Sequence, residues 1–232
     1  MKVELVTYTP NPDAVCNVAA GTCVSEDIPV MEMSVNRFHA LKGALASGHE
    51  SVAEHASFTF AIEGVSRALT HQLVRHRMAS FSQQSQRYVG MERFKYVIPK
   101  SIEEADDPKK LVWVHCGEHS DTIRRAYHDL MLQIDWLYES MIKNGIPEED
   151  ARYILPNACC TNIVVTMNAR ELRHFFRLRC CERAQWEIRE MANLMLEEVK
   201  KVAPVIFADA GASCVATGRC PEGKKSCGRV KE

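Results

Sequence analysis

The 232-residue chain has no apolar run approaching the ~20 residues that a membrane-spanning helix needs. It has almost no net charge, −1 at pH 7 with histidines neutral, so no global field draws it to nucleic acid or a membrane surface. Aromatic residues are only 7% and form no platform motif, which argues against stacking on single-stranded nucleic acid. There is no G-x-G-x-x-G, no Walker loop and no nucleophile elbow. Any anion bound here is therefore held by side chains rather than by a glycine-rich backbone cradle. Residues Met1 to Val6 lack the apolar core and cleavage site of a secretion signal, so a cytoplasmic location is expected. What remains is ordinary globular composition, 46% hydrophobic and 25% charged, which excludes disordered and collagen-like chains. A chain of this length buries roughly 70–75% of its unfolded surface and needs no staples to hold a core.

The ten cysteines are consistent with a reducing compartment and do not read as a disulfide framework. Cys159-Cys160 and Cys180-Cys181 are vicinal, and no C-x-x-C occurs. Cys214, Cys220 and Cys227 stand wider apart than the usual zinc-ligand pairs. Idle or packed thiols are one reading of this tail, and a metal or redox role is the other. No metal site is assigned.

Hydrophobic periodicity organises the rest. Phe58, Phe60 and Ile62 alternate with polar or small residues, which predicts a half-buried strand ending at Gly64. Ser66 is a candidate cap for a helix running to about Arg77, with Val65, Leu69 and Leu73 on one stripe. Residues 97–110 hold Pro99, Pro108 and an acidic run, and read as a surface connection. From about Ser120 to Asn144, Ile123, Ala126, Tyr127, Leu130, Ile134, Leu137, Tyr138 and Met141 recur at helical spacing, and Gly145 stops the helix. Pro147 suits the first turn of a short helix through Ile154. Thr161 to Met167 is β-branched and reads as a strand, and Asn168 with Glu171 forms a capping box for a helix carrying Leu172, Phe175 and Phe176. A last helix spans about 184–202, with Ile188, Met191, Met195 and Val199 inward. Residues 211–232 read as a mobile Gly-, Lys- and Cys-rich tail of unassigned role. The expected fold is α+β: one domain over residues 1–210, with a mixed or antiparallel sheet flanked by long amphipathic helices.

The chemistry is concentrated in Arg75-His76-Arg77 and the polar stretch to Arg87. Successive helical residues diverge by about 100°, so the triplet spreads three polar groups around the helix; they suit a large anionic partner, or the cations simply offset the helix dipole. Gln72 and Arg75 share a helix face. If residues 83–87 are extended, Gln83, Ser85 and Arg87 point the same way, an amide, a hydroxyl and a guanidinium in one row. Such a row suits a phosphorylated pyrimidine nucleotide, or it is a solvated polar loop. Arg170, His174 and Arg177 form a second basic face, with Arg179 on another side of the helix. His49 and Glu54 have no third ligand in register, so Gly48-His49-Glu50-Ser51 reads as a polar turn.

Arg75-His76-Arg77, seven residues, then Ser85 resembles the R-H-R-x7-S signature of flavin-dependent thymidylate synthases. Gly48-His49-Glu50-Ser51-x-x-Glu54-His55 is similar to that family's G-H-x-[ST]-x-x-E-H. Ala151-Arg152-x-x-Leu155-Pro156 is similar to its A-R-x-x-L-P. Asn168-Ala169-Arg170-x-Leu172 resembles N-A-R-x-L, and Leu178-Arg179 with Ala184-Gln185-Trp186-Glu187-Ile188 resembles L-R-x-x-x-x-A-Q-x-E-I. The matches run in family order over about residues 16–205. Two departures stand out: Gly21 lies where the family often has arginine, and Gln83 where some members have glutamate.

The resemblance implies methylation of dUMP to dTMP, with methylenetetrahydrofolate as carbon donor, bound FAD as hydride carrier and NADPH as reductant. It also implies a homotetramer with active sites built between subunits, and no nucleic-acid or membrane partner. The implied flavin positions are Cys23, Ser51, Arg75, His76, Arg77, Gln83, Asn168, Arg170 and His174. The implied nucleotide positions are Gln72, Arg75, Gln83, Ser85, Arg87, Arg152 and Arg179, with His49 and Glu149 also at site positions. Arg77 and Arg170 would serve the FAD pyrophosphate. Arg179 would stabilise an anionic uracil and so activate its C5 carbon. Ser85 stands in the signature, but no general base lies at a suitable spacing, so it is expected to bind nucleotide rather than act as nucleophile.

Overall fold

The computed structural model describes residues 1–30, 38–107, 111–114 and 119–230. In chain order the elements are β1 (Lys2–Tyr8), α1 (Pro12–Thr22), α2 (His39–Ala46), a 3-10 helix (Glu50–His55), β2 (Ser57–Ser66), α3 (Arg67–Leu73), β3 (Ala79–Gln83), α4 (Lys100–Glu103), β4 (Leu111–Val114) and β5 (His119–Thr122). Then come α5 (Ile123–Lys143), α6 (Glu148–Ala151), a 3-10 turn (Arg152–Ile154), β6 (Cys160–Asn168), α7 (Ala169–Arg179), α8 (Trp186–Val202) and α9 (Ser213–Thr217), with a further 3-10 turn at Gly223–Lys225. The α+β class expected from the sequence is what the chain adopts. It forms two compact units, residues 1–63, 69–82 and 162–232 in one, 64–68 and 83–161 in the other.

The first unit is built on an antiparallel four-stranded sheet of order β1-β2-β6-β3. Along β2, Phe58, Phe60 and Ile62 are buried and face the core, as their period of two requires. Thr59 on the same strand meets Thr166 of β6 through their hydroxyls at 2.9 Å. Leu172, Phe175 and Phe176 of α7 and Ile188, Met191, Met195 and Val199 of α8 are fully buried at helical spacing. Phe207 closes this core edge-on against Phe58 and Phe176, with centroids 5.4 and 6.0 Å apart. The carboxylate of Asp13 on α1 accepts from the backbone N–H groups of Val205 and Ile206, both at 3.0 Å, and so anchors the segment after α8.

Three expectations need correction in this unit. The strand does not end at Gly64: β2 continues to Ser66, and Gly64 adopts φ +67, a left-handed conformation that glycine tolerates inside a strand. The helix after it stops at Leu73, so Arg75-His76-Arg77 lie in the turn beyond it, where the Arg75 and His76 amides donate to the carbonyls of Gln72 and Leu73. The tail is not a loose appendage as far as residue 230. Ala210, Gly211 and Ala212 are buried, α9 packs on α7, and the Arg183 guanidinium donates to the carbonyls of Lys225 and Ser226 while Arg229 pairs with Glu182.

The second unit is organised by α5. Thr122 caps it, its hydroxyl accepting from the Arg125 amide, and Gly145 ends it at φ +82. It starts at Ile123 rather than Ser120 because residues 119–122 pair with β4 instead. Met131 and Tyr138 are buried with Met91, Phe94, Ala151 and Cys159, and Tyr127, Ile134 and Met141 pack beside them. Leu130, Leu137 and Ile123, expected on the inward stripe, are largely exposed, as are Leu132 and Trp136. The buried line is turned from the expected stripe: it runs through Met131, which that stripe omits, and Tyr138, and exposure rises on moving around the helix toward Leu130 and Leu137. The connection expected at 97–110 contains the short α4, and Pro108 lies outside the described residues.

Candidate functional site

In the first unit, Gly48 at φ +80 turns the chain into the 3-10 helix, which presents Glu50 and Glu54 to α7. On α7, Arg170 and Arg177 are seven residues apart, about 10.5 Å along the axis. Arg170 pairs with Glu54, and Arg177 with Glu50. The expected basic face is thus neutralised within the chain. Between these partners lies a cavity of about 280 Å³ lined by Glu50, Glu54, Met78, Asn168, Arg170, Glu171, His174 and Arg177. Asn168 Oδ1 caps α7 by accepting from the Glu171 amide at 2.9 Å. Only half of the expected capping box forms, because the Glu171 carboxylate turns to His76 instead.

His76 is the buried centre of the R-H-R triplet, 5% exposed, with Arg75 and Arg77 exposed on either side. Its Nδ1 lies 3.0 Å from Glu171 Oε1, and its Nε2 accepts from Arg179 Nε at 3.1 Å. The ring stacks edge-on against Phe175, 4.9 Å between centroids, and His174 is 6.1 Å away. Burial pushes the His76 pKa below its ordinary value, and the Arg179 and His174 charges act in the same direction against the opposing Glu171. Burial also lowers the Arg179 pKa. The guanidiniums of Arg75 and Arg77 have no hydrogen bond or ion pair among the described residues.

Sequence reasoning missed Arg173. It is 3% exposed and grips Asp209 through both oxygens, at 2.6 and 3.1 Å, and Glu50 at 3.2 Å. Burial opposes its charge, but the two carboxylates more than compensate. The Arg173 hydrogen bonds hold the Asp209 carboxyl below the usual carboxylate range. A signal existed: Arg173 interrupts the apolar stripe Ala169, Leu172, Phe175, Phe176, and a charge on a core face calls for a buried counter-ion.

A second cavity of about 460 Å³ lies among α1, α2 and the 3-10 helix. Its lining brings together Cys23, His49 and Ser51 with His39 and the apolar Ala20, Val24 and Val52. Its size suits a ring-bearing ligand. Gln72 is half-buried on α3, and its carbonyl accepts from the Arg75 amide at 3.4 Å.

The remaining expected residues lie in the second unit. Gln83, Ser85 and Arg87 do not form one extended row, because β3 ends at Gln83 and the chain turns, the Val89 amide donating to the Ser85 carbonyl. Gln83 donates to Thr161 Oγ1 at 3.3 Å. Ser85 Oγ accepts from the Arg87 amide at 3.2 Å. Arg87 donates from Nε and Nη2 to Glu149 Oε2 at 3.1 and 2.8 Å, and Arg152 donates to the Glu149 carbonyl at 3.1 Å. Arg87 and Glu149 are each about half exposed (49% and 51%), so their pair is worth at most about 1 kcal/mol and opens readily.

Any flavin dinucleotide must have phosphates matched by cations and ring and ribose edges matched by polar groups. Arg75 and Arg77 offer cations with no partner among the described residues, and the two cavities offer amide, imidazole and hydroxyl groups. The residues fit such a ligand, although Arg170 reaches it only by sharing or releasing Glu54.

Comparison with known proteins was consistent over the whole chain. The family model described as "Thymidylate synthase complementing protein" matches residues 4–205. The flavin-dependent thymidylate synthase of Clostridium tetani is 50% identical, covering 100% of this chain and 95% of that protein. That of Geobacter sulfurreducens is 48% identical, covering 100% and 96%. That of Pyrococcus furiosus is 43% identical, covering 96% and 90%.

Proposed function

The chain belongs to the flavin-dependent thymidylate synthases, and from that premise we propose how its residues divide the work of turning dUMP into dTMP. The reaction transfers the methylene of methylenetetrahydrofolate to C5 of the uracil and reduces it to methyl, and the cofactor is a flavin. Bound FAD supplies the reducing equivalents, and NADPH restores them.

One observation carries the assignment of roles. Segments far apart in sequence, at 50–54, 76 and 170–179, are joined by ion pairs and hydrogen bonds around α7. Arg75 and Arg77 hold the FAD phosphates, being exposed cations without a partner among the described residues. Asn168, Arg170 and His174 contact the cofactor from the 280 Å³ cavity, and Cys23, His49 and Ser51 serve it or the folate from the larger one. Arg179 uses its terminal nitrogens on the uracil edge, stabilising negative charge on the ring as C5 attacks; donors of this kind supply roughly 3–4 kcal/mol. Arg87 exchanges Glu149 for the nucleotide phosphate, and Gln83, Ser85 and Arg152 serve the same subsite; Gln72 is a separate nucleotide contact of the first unit. Ser85 binds rather than attacks, its oxygen accepting from an amide.

The assembly is a homotetramer with sites shared between subunits. Supporting it is the face of α5 bearing Leu130, Leu132, Trp136 and Leu137, where Trp136 is 69% exposed. The enzyme works in the cytoplasm; among the described residues no helix is long and apolar enough to cross a membrane. The domain spans residues 1–210, and the tail acts as a brace on the loop after α7.

The reading is tested by mixing purified protein with FAD, dUMP, methylenetetrahydrofolate and NADPH. Flavin absorbance that NADPH bleaches anaerobically, with dTMP formed, is expected. No dTMP from flavin-loaded protein would overturn it.

A further inference from the structure

Glu171 occupies the open position of Asn168-Ala169-Arg170-x-Leu172, so the family resemblance gives it no role. Its carboxylate would ordinarily reach back to complete the helix cap. Here it turns inward and meets His76 Nδ1 at 3.0 Å, with both side chains nearly out of solvent. On the far side of the ring, His76 Nε2 lies 3.1 Å from Arg179 Nε. An arginine Nε–H can only donate, so Nε2 must present its lone pair. The ring proton then sits on Nδ1, where Glu171 accepts it. Which nitrogen of a histidine carries the proton is set by the bond that the other makes. Phe175 packs edge-on against the ring, with centroids 4.9 Å apart.

We propose that Glu171 is a positioning residue for catalysis: through the Nδ1-protonated ring of His76 it fixes Arg179 with Nε turned inward and both terminal nitrogens free for the uridylate. The proposal rests on the reading of Arg179 given above. Without an acceptor at position 171, the ring is free to carry its proton on Nε2. That places N–H against N–H, and the guanidinium swings off its axis. The groups facing the ring are Glu171, His174, Phe175 and Arg179, all from α7. Of these, Glu171 favours a second ring proton, and His174 and Arg179 oppose it.

Two readouts test this. Nitrogen NMR of histidine-labelled protein without substrates, with His76→Asn to assign the signal, should show a protonated Nδ1 and an unprotonated Nε2 at pH 7.5. Glu171→Ala should lower kcat about tenfold to a hundredfold, the usual range for losing an orienting partner, with the flavin still bound. Glu171→Gln, whose amide oxygen still accepts from Nδ1–H, should recover most of that loss. An Nε2-protonated or doubly protonated His76 in the wild type, an unchanged kcat in Glu171→Ala, or equal impairment of both variants overturns the proposal. Should Glu171→Ala fail to fold, Glu171→Gln decides together with the wild-type spectrum: a tenfold drop in its kcat is fatal. A wild-type protein that forms no dTMP would sink the functional reading, while the nitrogen spectrum would still report on the relay.

Discussion

At the scale of single residues, the arginines of α7 divide by what surrounds them. Arg173 is buried and held by Asp209 and Glu50, whereas Arg170 is half exposed and among the described residues pairs with Glu54 alone. Arg173→Ala leaves the half-exposed Asp209 to solvent and Glu50 to Arg177, and should cost about 1–3 kcal/mol in urea unfolding. Arg170→Ala should cost under about 1 kcal/mol yet weaken FAD binding, measured by flavin fluorescence titration. His76 gives a pH signature. Its folded-state pKa lies below the ordinary 6.5, so the unfolded chain binds the extra proton first. That stabilising term is complete above pH 6.5 and is lost as pH falls below it toward the folded value. The unfolding midpoint should therefore decline from pH 7.5 to 5.5, and His76→Phe should flatten that decline.

At the scale of elements, turn chemistry can be tested without disturbing packing. A Cβ on Gly145 would meet no atom within 4 Å, so Gly145→Ala carries the backbone penalty alone, about 1–2 kcal/mol at φ +82. Chemical denaturation checks this, and activity should be unaffected. The same scale shows what was legible beforehand. The β2 alternation, the C-terminal ends of α5 and α8 and the Asn168 cap were readable because each is decided by spacing or by a cap within a few residues. The end of α3, the turn at residues 84–88 and the inward facing of Glu171 were not. Each depends on partners far along the chain: His76 for Glu171, and for Arg87 the Glu149 carboxylate, 62 residues away. Of the site, the residue types were legible and their mutual contacts were not. R-H-R announced three polar groups, two of them fixed cations, but nothing local said that its histidine would be buried between a glutamate and another arginine.

At the scale of the whole molecule, the C-terminal segment matters to the first unit as a brace. Ala212 and Gly211 are buried, and Arg183, Arg229 and Glu182 tie residues 225–229 to the loop after α7. Deleting residues 211–232 should lower stability by about 1–3 kcal/mol, the scale of one or two charge-assisted bonds. It should also make Cys181 and Cys180 faster to react with a thiol reagent. Among the described residues no cluster is arranged to hold a metal ion.

The thiols also form a built-in clock. Cys16, Cys159 and Cys180 are buried, and burial pushes their pKa values to about 12, 11 and 12, so at neutral pH they are silent toward alkylation. Cys23 and Cys227 are exposed. A pulse of alkylating reagent followed by mass spectrometry therefore dates events separately. Label at Cys159 marks opening of the α5 core, and label at Cys16 marks opening around α1. Label at Cys23 is quenched when a ligand fills the cavity it lines.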